Sequence, residues 1–264
     1  MSEMFNLFEG NAPLLISIPH VGTTIPEDLR ANYTDIALTV ADTDWHLDRL
    51  YAFARDMGAT IVSAKISRYV IDLNRPQNDE SLYPGQTTTG LCPGETFRGM
   101  PLYRNGVLPD DAEKQRRVGL YWRPYHDALA AQIARLRQSH SNVLVWESHS
   151  IASVLPRLFE GKLPDLNLGT QDGRSAAPSA LEAVMAVAEQ SDYTSIANGR
   201  FKGGYITRNY GAPEKGIHTI QLEMCQSTYM HETLPFAYHE AEAARVEPVV
   251  QKMVAAASAA IAAL

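Results

Sequence analysis

The chain alternates short apolar runs with segments of helical periodicity, and this alternation limits the folds open to it. Strands that alternate with helices are typical of an α/β sheet with helices on both faces. The apolar runs predict strands at residues 14–18, 60–64, 66–71, 142–146, 203–208 and 218–223. The periodic segments predict helices that begin at residues 42–44, span 112–138 and 178–189, and begin again near 234.

Glycine and proline punctuate this pattern. Gly58 is expected to end the helix that begins at residues 42–44. Pro124 should break or kink the helix at 112–138, because proline lacks the amide N–H that a helix interior uses. Residues 76–110 are rich in Pro, Gly and Thr and have no helical period, so we expect a long functional loop or a lid there.

The composition indicates a globular protein with a sizeable core. The 264 residues are 45% apolar, and the formal net charge of −7 argues against general nucleic-acid binding. The two cysteines, Cys92 and Cys225, do not make a disulfide framework. The N-terminus lacks the features of a signal peptide, and the apolar segment 253–264 is shorter than the ~20 residues of a membrane span. We therefore expect a cytoplasmic protein with no membrane partner, in which 253–264 packs as a helix.

Polar residues that could bind a ligand or take part in catalysis follow three of the predicted strands. His20 comes after strand 14–18, Asn74 and Arg75 come after strand 66–71, and His149 lies just past strand 142–146. In α/β sheets, ligands bind beyond the carboxyl ends of the strands. Because the three sets share this placement, we expect them to converge on one site.

The two histidines suggest a metal site. A lone histidine after a strand is more often a packing residue, but two imidazoles at matching strand ends suit zinc, cobalt, iron or nickel. The third ligand is predicted to be Asp44, with Asp42 close behind and Glu27 as the next alternative. The competing interpretation is that acidic residues at a helix start simply cap it.

The Asn74-Arg75 pair suggests a site for a carboxylate, because arginine offers a planar fork of donors and asparagine adds a neutral one. Arg75 could instead pair with Asp72. Arg68 and Arg208 are further candidates for a second anionic group of the ligand. Arg200 and Lys202, which lie among glycines, are each more simply explained as solvated charges.

Glu223 lies in the otherwise apolar strand 218–223, on the same face as Gln221. A carboxylate in a buried strand needs a reason, because its desolvation is costly. Glu223 is either a paired core acid or a general base that takes a proton from water.

The motifs of serine hydrolases, P-loop proteins, dinucleotide-binding proteins and His-Glu-x-x-His metalloproteases are absent. The other six histidines, including His126, lack a comparable setting.

Many ordered segments resemble the N-formylglutamate amidohydrolase family, from about residue 10 to residue 240. The segments that carry this resemblance are 15–22, 42–46, 67–76, 81–84, 149–151, 156–161, 163–170, 198–205 and 221–224. Segments this long and in this order are far more specific than a short motif.

The resemblance implies a zinc carboxypeptidase-like class that includes the aspartoacylases, with a mixed, mostly parallel sheet in one domain over residues 1–264. Such proteins join histidine, an acidic residue and histidine around a divalent metal, most simply zinc. They bind a substrate carboxylate with a strand-end Asn-Arg pair and use a late glutamate as general base. His20, His149, Asn74, Arg75 and Glu223 match in order and setting, but Thr23 stands where relatives often carry a metal-binding glutamate.

The implied reaction is hydrolysis of N-formyl-L-glutamate to formate and L-glutamate, the last step of a five-step histidine degradation. The alternatives are an enzyme of the same class that cleaves another N-acyl amino acid or a γ-glutamyl bond, and an inert amino-acid-binding protein on the same fold. The expected partner is a small-molecule substrate, and the oligomeric state is left open.

Overall fold

The computed structural model describes residues 4–82, 85 and 87–264. Within these residues, seven strands form a sheet: β1 (Phe5–Phe8), β2 (Leu14–Ile18), β3 (Thr60–Ala64), β4 (Val143–Ile151), β5 (Leu166–Gly169), β6 (Ser195–Ala197) and β7 (Ile217–Cys225). The α-helices of the same residues are α1 (Glu27–Arg30), α2 (Leu47–Leu50), α3 (Asp111–Arg117), α4 (Arg123–Arg137), α5 (Pro178–Glu189), α6 (Tyr205–Tyr210) and α7 (Glu240–Ala262).

The strand order is β1-β3-β2-β4-β7-β5-β6. The four central strands β3, β2, β4 and β7 are parallel. At one edge β1 is antiparallel to β3, and towards the other edge β5 is antiparallel to β7 and parallel to β6. The prediction of a mixed, mostly parallel sheet is therefore confirmed.

Helices cover both faces of the sheet. Helices α2, α5 and α7 pack on one face through residues such as Leu47, Val184 and Val250. Helix α4 packs on the other face through residues such as Leu129 and Ile133. Because both faces are covered, the central strands are buried along most of their length and appear in the sequence as continuous apolar runs.

Several predicted elements are confirmed. Strands 14–18 and 60–64 and helix 178–189 have the predicted bounds, and 218–223 lies within β7. The C-terminal segment packs as the end of α7, with Met253, Val254, Ala257 and Ile261 buried. No helix of the described residues is long and apolar enough to cross a membrane. Residues 76–110, where described, are irregular apart from a 3-10 turn at Arg104–Gly106.

The helix at 112–138 runs through Pro124 as α3, a π turn at Val118–Trp122, and α4. The chain therefore stays helical through Pro124, and the expected break or kink takes the form of a π turn that interrupts the α-helix. The proline ring would clash with the carbonyl of Leu120 in a regular α-helix, and the wider π turn lies at that position.

Two predicted strands are wrong. Residues 66–71 form turns after a single bridge between Thr24 and Ile66, so Asn74 and Arg75 do not leave a strand. Residues 203 and 204 instead precede α6, and 205–208 form its start; the Gly204 amide donates to Gln221 and the Ile206 amide donates to Asn74. In both segments, side-chain partners replace the hydrogen bonds of a sheet, and a strand pattern carries no sign of such partners.

Three boundaries also differ from prediction. The helix expected from 42–44 begins at Leu47, since residues 42–46 form a turn. It ends at Leu50 and is followed by a 3-10 turn at Ala52–Arg55, so Gly58 (φ 70°) lies beyond the helix and does not end it. Strand β4 continues to Ile151, so His149 lies inside it. The last helix begins at Glu240 instead of near 234, where the His239 ring accepts the Glu242 amide and caps it. Strands β1, β5 and β6 have four residues or fewer, and the sequence pattern did not indicate them.

Candidate active site

His20, Asp44 and His149 come together at one edge of the sheet, and their ligand atoms all lie within 4.8 Å of one another. Asp44 Oδ2 is 3.1 Å from His149 Nδ1 and 3.7 Å from His20 Nδ1. All three side chains are buried. The arrangement of imidazole, carboxylate and imidazole suits a metal ion.

Local structure brings the three residues into place. His20 lies in the turn after β2, and His149 lies on the adjacent strand β4. The Asp44 amide donates to the His20 carbonyl at 3.0 Å, so the turn at 42–46 returns to the end of β2. The Ser150 amide also donates to Asp44 Oδ2 at 3.2 Å. Asp44 therefore directs its carboxylate into the site and does not cap a helix.

Buried carboxylates orient both imidazole rings. His20 Nε2 lies 2.7 Å from Asp72 Oδ1, and His149 Nε2 lies 2.6 Å from Glu147 Oε1. When each Nε2–H donates to its carboxylate, each Nδ1 keeps a lone pair, and both Nδ1 atoms face Asp44. Carboxylates that hold the second nitrogen of a histidine are a regular feature of metal sites.

The surrounding atoms fit a bound cation. Asp44 Oδ1 is buried and has no hydrogen-bond partner among the residues that the structure describes, although buried carboxylate oxygens normally have one. Four buried carboxylates meet here, those of Asp44, Asp72, Glu147 and Glu223, and Arg68 is a buried cation among them. A divalent ion at the nitrogen and oxygen ligands would satisfy Asp44 Oδ1 and reduce the negative charge.

The electrostatics of the site follow from this crowding. Burial opposes ionisation of Asp72, but His20 and Arg68 hold the pKa of that carboxyl well below its usual range. Burial likewise disfavours a charged His149 ring, yet Glu147 and Asp44 outweigh it and raise the His149 pKa to about 10. Burial raises the pKa of the Glu223 carboxyl to about 8, against the attraction of His149. Glu223 is therefore a carboxylate with raised proton affinity beside the metal ligands.

Arg68 lies within this charged network. Its guanidinium donates to Asp72 Oδ2 at 2.8 Å, lies 3.6 Å from Asp44 Oδ1, and sits over the Phe97 ring at 4.6 Å. Its NH1 is 3.1 Å from His20 Nδ1. The charge of Arg68 thus balances the site carboxylates, although the side chain also reaches the cavity described next.

A cavity of about 680 Å³, including its mouth, opens beside the metal ligands. The predicted site residues that line it are His20, Arg68, Asn74, Arg75, His149 and Glu223. Gln221 also lines it, as expected from its shared face with Glu223. Arg208 is not part of the lining, and its Nε donates to the Gly203 carbonyl at 3.0 Å.

Arg75 and Arg200 form two cationic parts of the cavity wall. Arg75 Nε donates to the Thr89 carbonyl at 2.8 Å, and Arg200 donates to the Thr87 carbonyl at 3.3 Å. Both arginines are therefore attached to one short stretch of chain, and both line the cavity. The sequence favoured a solvated charge for Arg200, and its position among glycines was the only signal for its place here.

Asn74 connects the metal ligands to α6. Its Oδ1 accepts the Ile206 amide at 2.8 Å, and its Nδ2 lies 3.0 Å from His149 Nε2. The Oδ1 atom is thus used within the protein, whereas Nδ2 gains no acceptor from a His149 ring whose Nε2–H donates to Glu147. Gly204 is required here, because a Cβ at that position would lie 2.2 Å from Asn74 Nδ2.

The other acidic candidates lie away from the metal ligands. The Asp42 carboxylate accepts the Phe97 amide at 2.7 Å, and Glu27 is an exposed residue of α1 near Arg30. Glu147 was missed by the sequence reading. The available signal was its position two residues before His149 in a buried strand, which places both side chains on one face.

Comparisons with known proteins agree with this architecture. Residues 12–230 match the family model described as N-formylglutamate amidohydrolase. The chain is 47% identical to N-formylglutamate deformylase of Pseudomonas putida (97% of this chain, 96% of the relative) and 46% identical to that of Pseudomonas aeruginosa (96% and 95%). The crystal structure of N-formylglutamate amidohydrolase from Ralstonia eutropha JMP134 superposes over 100% of both chains with a TM-score of 0.85 and 25% identity. The chain therefore belongs to the N-formylglutamate amidohydrolase family.

Proposed function

We propose that this protein hydrolyses N-formyl-L-glutamate to formate and L-glutamate with the help of a divalent metal. The observation that carries the proposal is the His20, Asp44 and His149 cluster at the edge of a cavity whose wall includes Arg68, Arg75 and Arg200. One end of this arrangement suits the polarisation of an amide carbonyl, and the other suits the binding of a dicarboxylate. The activity named for the Pseudomonas relatives supports the same reaction.

His20 Nδ1, His149 Nδ1 and Asp44 would hold the metal, with Asp72 and Glu147 fixing the two rings. When bound, a divalent metal acts as a Lewis acid on the formyl carbonyl and lowers the pKa of water. Zinc is the first choice for these ligands, and cobalt, iron and nickel are the alternatives.

Glu223 is proposed as the general base. It lines the cavity, lies on β7 beside His149 of β4 in register, and has a pKa raised by burial. A carboxylate with raised proton affinity can accept a proton from the attacking water and deliver it to the departing amine nitrogen. Because the second transfer protonates the nitrogen, the C–N bond can break without releasing a strongly basic amide anion.

The substrate carboxylates need separate cationic partners. We assign one carboxylate to Arg75 and the other to Arg200, since these arginines line the cavity and are attached to the same stretch at Thr87 and Thr89. Arg68 is engaged with Asp72 and Asp44, and Arg208 lies outside the lining, so both fit this role less well.

The size of the acyl group distinguishes a deformylase from related amidohydrolases that cleave larger N-acyl groups. Phe97 contacts Arg68 next to the metal ligands, and Ile151 follows His149 on the same face of β4, so bulky side chains restrict space there. A formyl group needs less room than acetyl or succinyl. The reaction would serve as the last step of histidine degradation.

A substrate comparison tests the proposal. Formate release from N-formyl-L-glutamate is measured beside acetate release from N-acetyl-L-glutamate and glutamate release from a γ-glutamyl amide. We expect kcat/KM for the formyl substrate to exceed that for the acetyl substrate about 10- to 200-fold, as one extra methyl group in a tight pocket costs. Faster acetate or γ-glutamyl cleavage would favour a related amidohydrolase. No cleavage of any substrate by metal-loaded protein would favour an inert binding protein.

A further inference from the structure

The irregular segment 68–75 contains four residues of the candidate site, Arg68, Asp72, Asn74 and Arg75. Side chains of the long helix, which is formed by α3, the π turn and α4 together, hold the backbone of this segment. Because this segment is not in the sheet, its carbonyls need other donors. Arg117 donates to the Val70 carbonyl at 2.9 Å, His126 Nε2 lies 2.9 Å from the Leu73 carbonyl, and Trp122 Nε1 donates to the Arg75 carbonyl at 2.9 Å. These three side chains form a row of donors along the segment.

The π turn explains how the three donors share one face of the helix. Trp122 and His126 are four residues apart and are neighbours on a helix surface. Arg117 is five residues before Trp122, a spacing that would turn it roughly 140° away on a regular α-helix with 3.6 residues per turn. The π turn at Val118–Trp122 uses i to i+5 hydrogen bonds and therefore returns Arg117 to the same face.

The row of donors is a built feature of the interior. Arg117, Trp122 and His126 are all buried. His126 stacks on Trp122 with ring centroids 3.8 Å apart, and its Nδ1 lies 2.9 Å from the Tyr210 hydroxyl. Since Nε2 faces a carbonyl, it carries the proton, and Nδ1 faces the Tyr210 hydroxyl, which also donates to the His126 carbonyl at 3.1 Å. Tyr210 belongs to α6, so the row links the long helix to a second element beside the cavity.

We propose that the π turn and the row Arg117, Trp122 and His126 position the segment 68–75 so that Arg75 is presented to the substrate carboxylate. These are positioning residues, because they touch backbone carbonyls and act through Arg75. The proposal rests on the proposed function, in which Arg75 binds substrate. The row bonds the carbonyls of Val70, Leu73 and Arg75 and not that of Asp72, the residue of this segment that fixes the His20 ring. Loss of a donor should therefore affect substrate binding more than metal binding or the chemical step.

The test compares variants that keep or remove each donor. Trp122→Phe keeps an aromatic ring but removes the indole N–H that donates to the Arg75 carbonyl. His126→Leu removes a donor, and His126→Gln restores an N–H of similar reach; both lose the same stacking on Trp122. Trp146→Phe is the matched control, because it also removes a buried indole N–H. That N–H donates to the Tyr51 hydroxyl in the core on the other face of the sheet. Metal content, KM and kcat for N-formyl-L-glutamate are measured, with L-glutamate binding followed by calorimetry.

We expect Trp122→Phe and His126→Leu each to raise KM about fivefold, the effect of one lost hydrogen bond, with kcat and metal content within twofold of wild type. His126→Gln and Trp146→Phe should stay near wild-type KM. The proposal is overturned if KM is unchanged in folded Trp122→Phe protein, if His126→Gln behaves like His126→Leu, or if metal content falls together with kcat. An inactive wild type would instead contradict the proposed function, and weaker L-glutamate binding by the variants would then still support the row.

Discussion

His149 Nε2 lies 2.6 Å from Glu147 Oε1, and the two residues are on the same face of β4. The Glu147 carboxylate also accepts the hydroxyl of Thr207 from α6. A strand alternates its side chains, so a spacing of two places the metal-ligating ring and its supporting carboxylate together. The site is thereby built into the most buried part of the sheet and does not depend on loops alone.

Glu147→Gln should weaken metal binding while leaving the fold intact. The amide cannot accept the His149 Nε2–H as strongly as a carboxylate, so the ring loses both orientation and basicity. Outer carboxylates of this type typically contribute 10- to 100-fold to metal affinity. Competition with a chelator measures the effect. Glu240→Gln removes an exposed carboxylate paired with Arg49 and should leave metal affinity unchanged.

Glu223→Gln should retain the metal and lose turnover. Glutamine keeps the shape of the side chain but cannot take a proton from water, and a positioned general base contributes about 10²- to 10⁴-fold. Metal content and single-turnover formate release measure the two effects separately. Activity within tenfold of wild type would assign Glu223 to a structural role.

We assign the side-chain carboxylate of the substrate to Arg200 and the α-carboxylate to Arg75. Arg200→Gln should then lower kcat/KM for N-formyl-L-glutamate much more than for N-formyl-L-glutamine. The loss of a charged hydrogen bond to a substrate carboxylate corresponds to roughly 10- to 100-fold. The control is Arg208→Gln, which removes a guanidinium outside the cavity lining. Equal losses for both substrates would contradict the assignment of Arg200 to a side-chain carboxylate, and a large effect of Arg208→Gln would restore the alternative drawn from the sequence.

His126 should make the folded protein sensitive to acid. Burial lowers its pKa to about 4, with the Leu73 carbonyl opposing the shift. The unfolded chain takes up this proton below its ordinary pKa of 6.5, and the folded protein does so only near 4. The free energy of unfolding therefore falls as the pH drops between these values, by ~3 kcal/mol from this residue.

Urea unfolding near neutral pH and near pH 4.5 measures this loss. The His126→Gln variant lacks the titrating ring, so its stability should fall less over the same interval, whatever its stability at neutral pH. Parallel losses in wild type and variant would show that His126 does not bind its proton more weakly in the folded state.

The parts of the fold that obey simple periodicity could be predicted from the sequence. Strand β2 is a run of five buried residues of which four are apolar, and α5 has the helical period and a starting proline. The strand predicted at 66–71 does not form, for a physical reason. Its β-branched and aromatic residues suit a strand, but the Tyr69 carbonyl accepts from the Tyr33 hydroxyl and the Val70 carbonyl accepts from Arg117, both of which are distant in sequence.

The candidate site shows the same division. His20 and His149 could be inferred because each lies at or near the end of an apolar run, and Asp44 could be inferred from its place after His20. Glu147 and Arg200 could not be, since their roles depend on partners brought close only by the fold: His149 for one and the Thr87 stretch for the other. Buried charge and cavity position are three-dimensional properties.

Hydrolysis of N-formyl-L-glutamate should depend on metal held by His20, Asp44 and His149. Formate release is measured for wild type and Asp44→Asn after chelation and during titration with a divalent metal. Chelated wild type should be inactive, and its activity should return in proportion to bound metal up to one ion per chain. Asp44→Asn should regain little activity because it binds metal weakly. Full formate release by the chelated, metal-free wild type would contradict a metal-dependent reaction at this site.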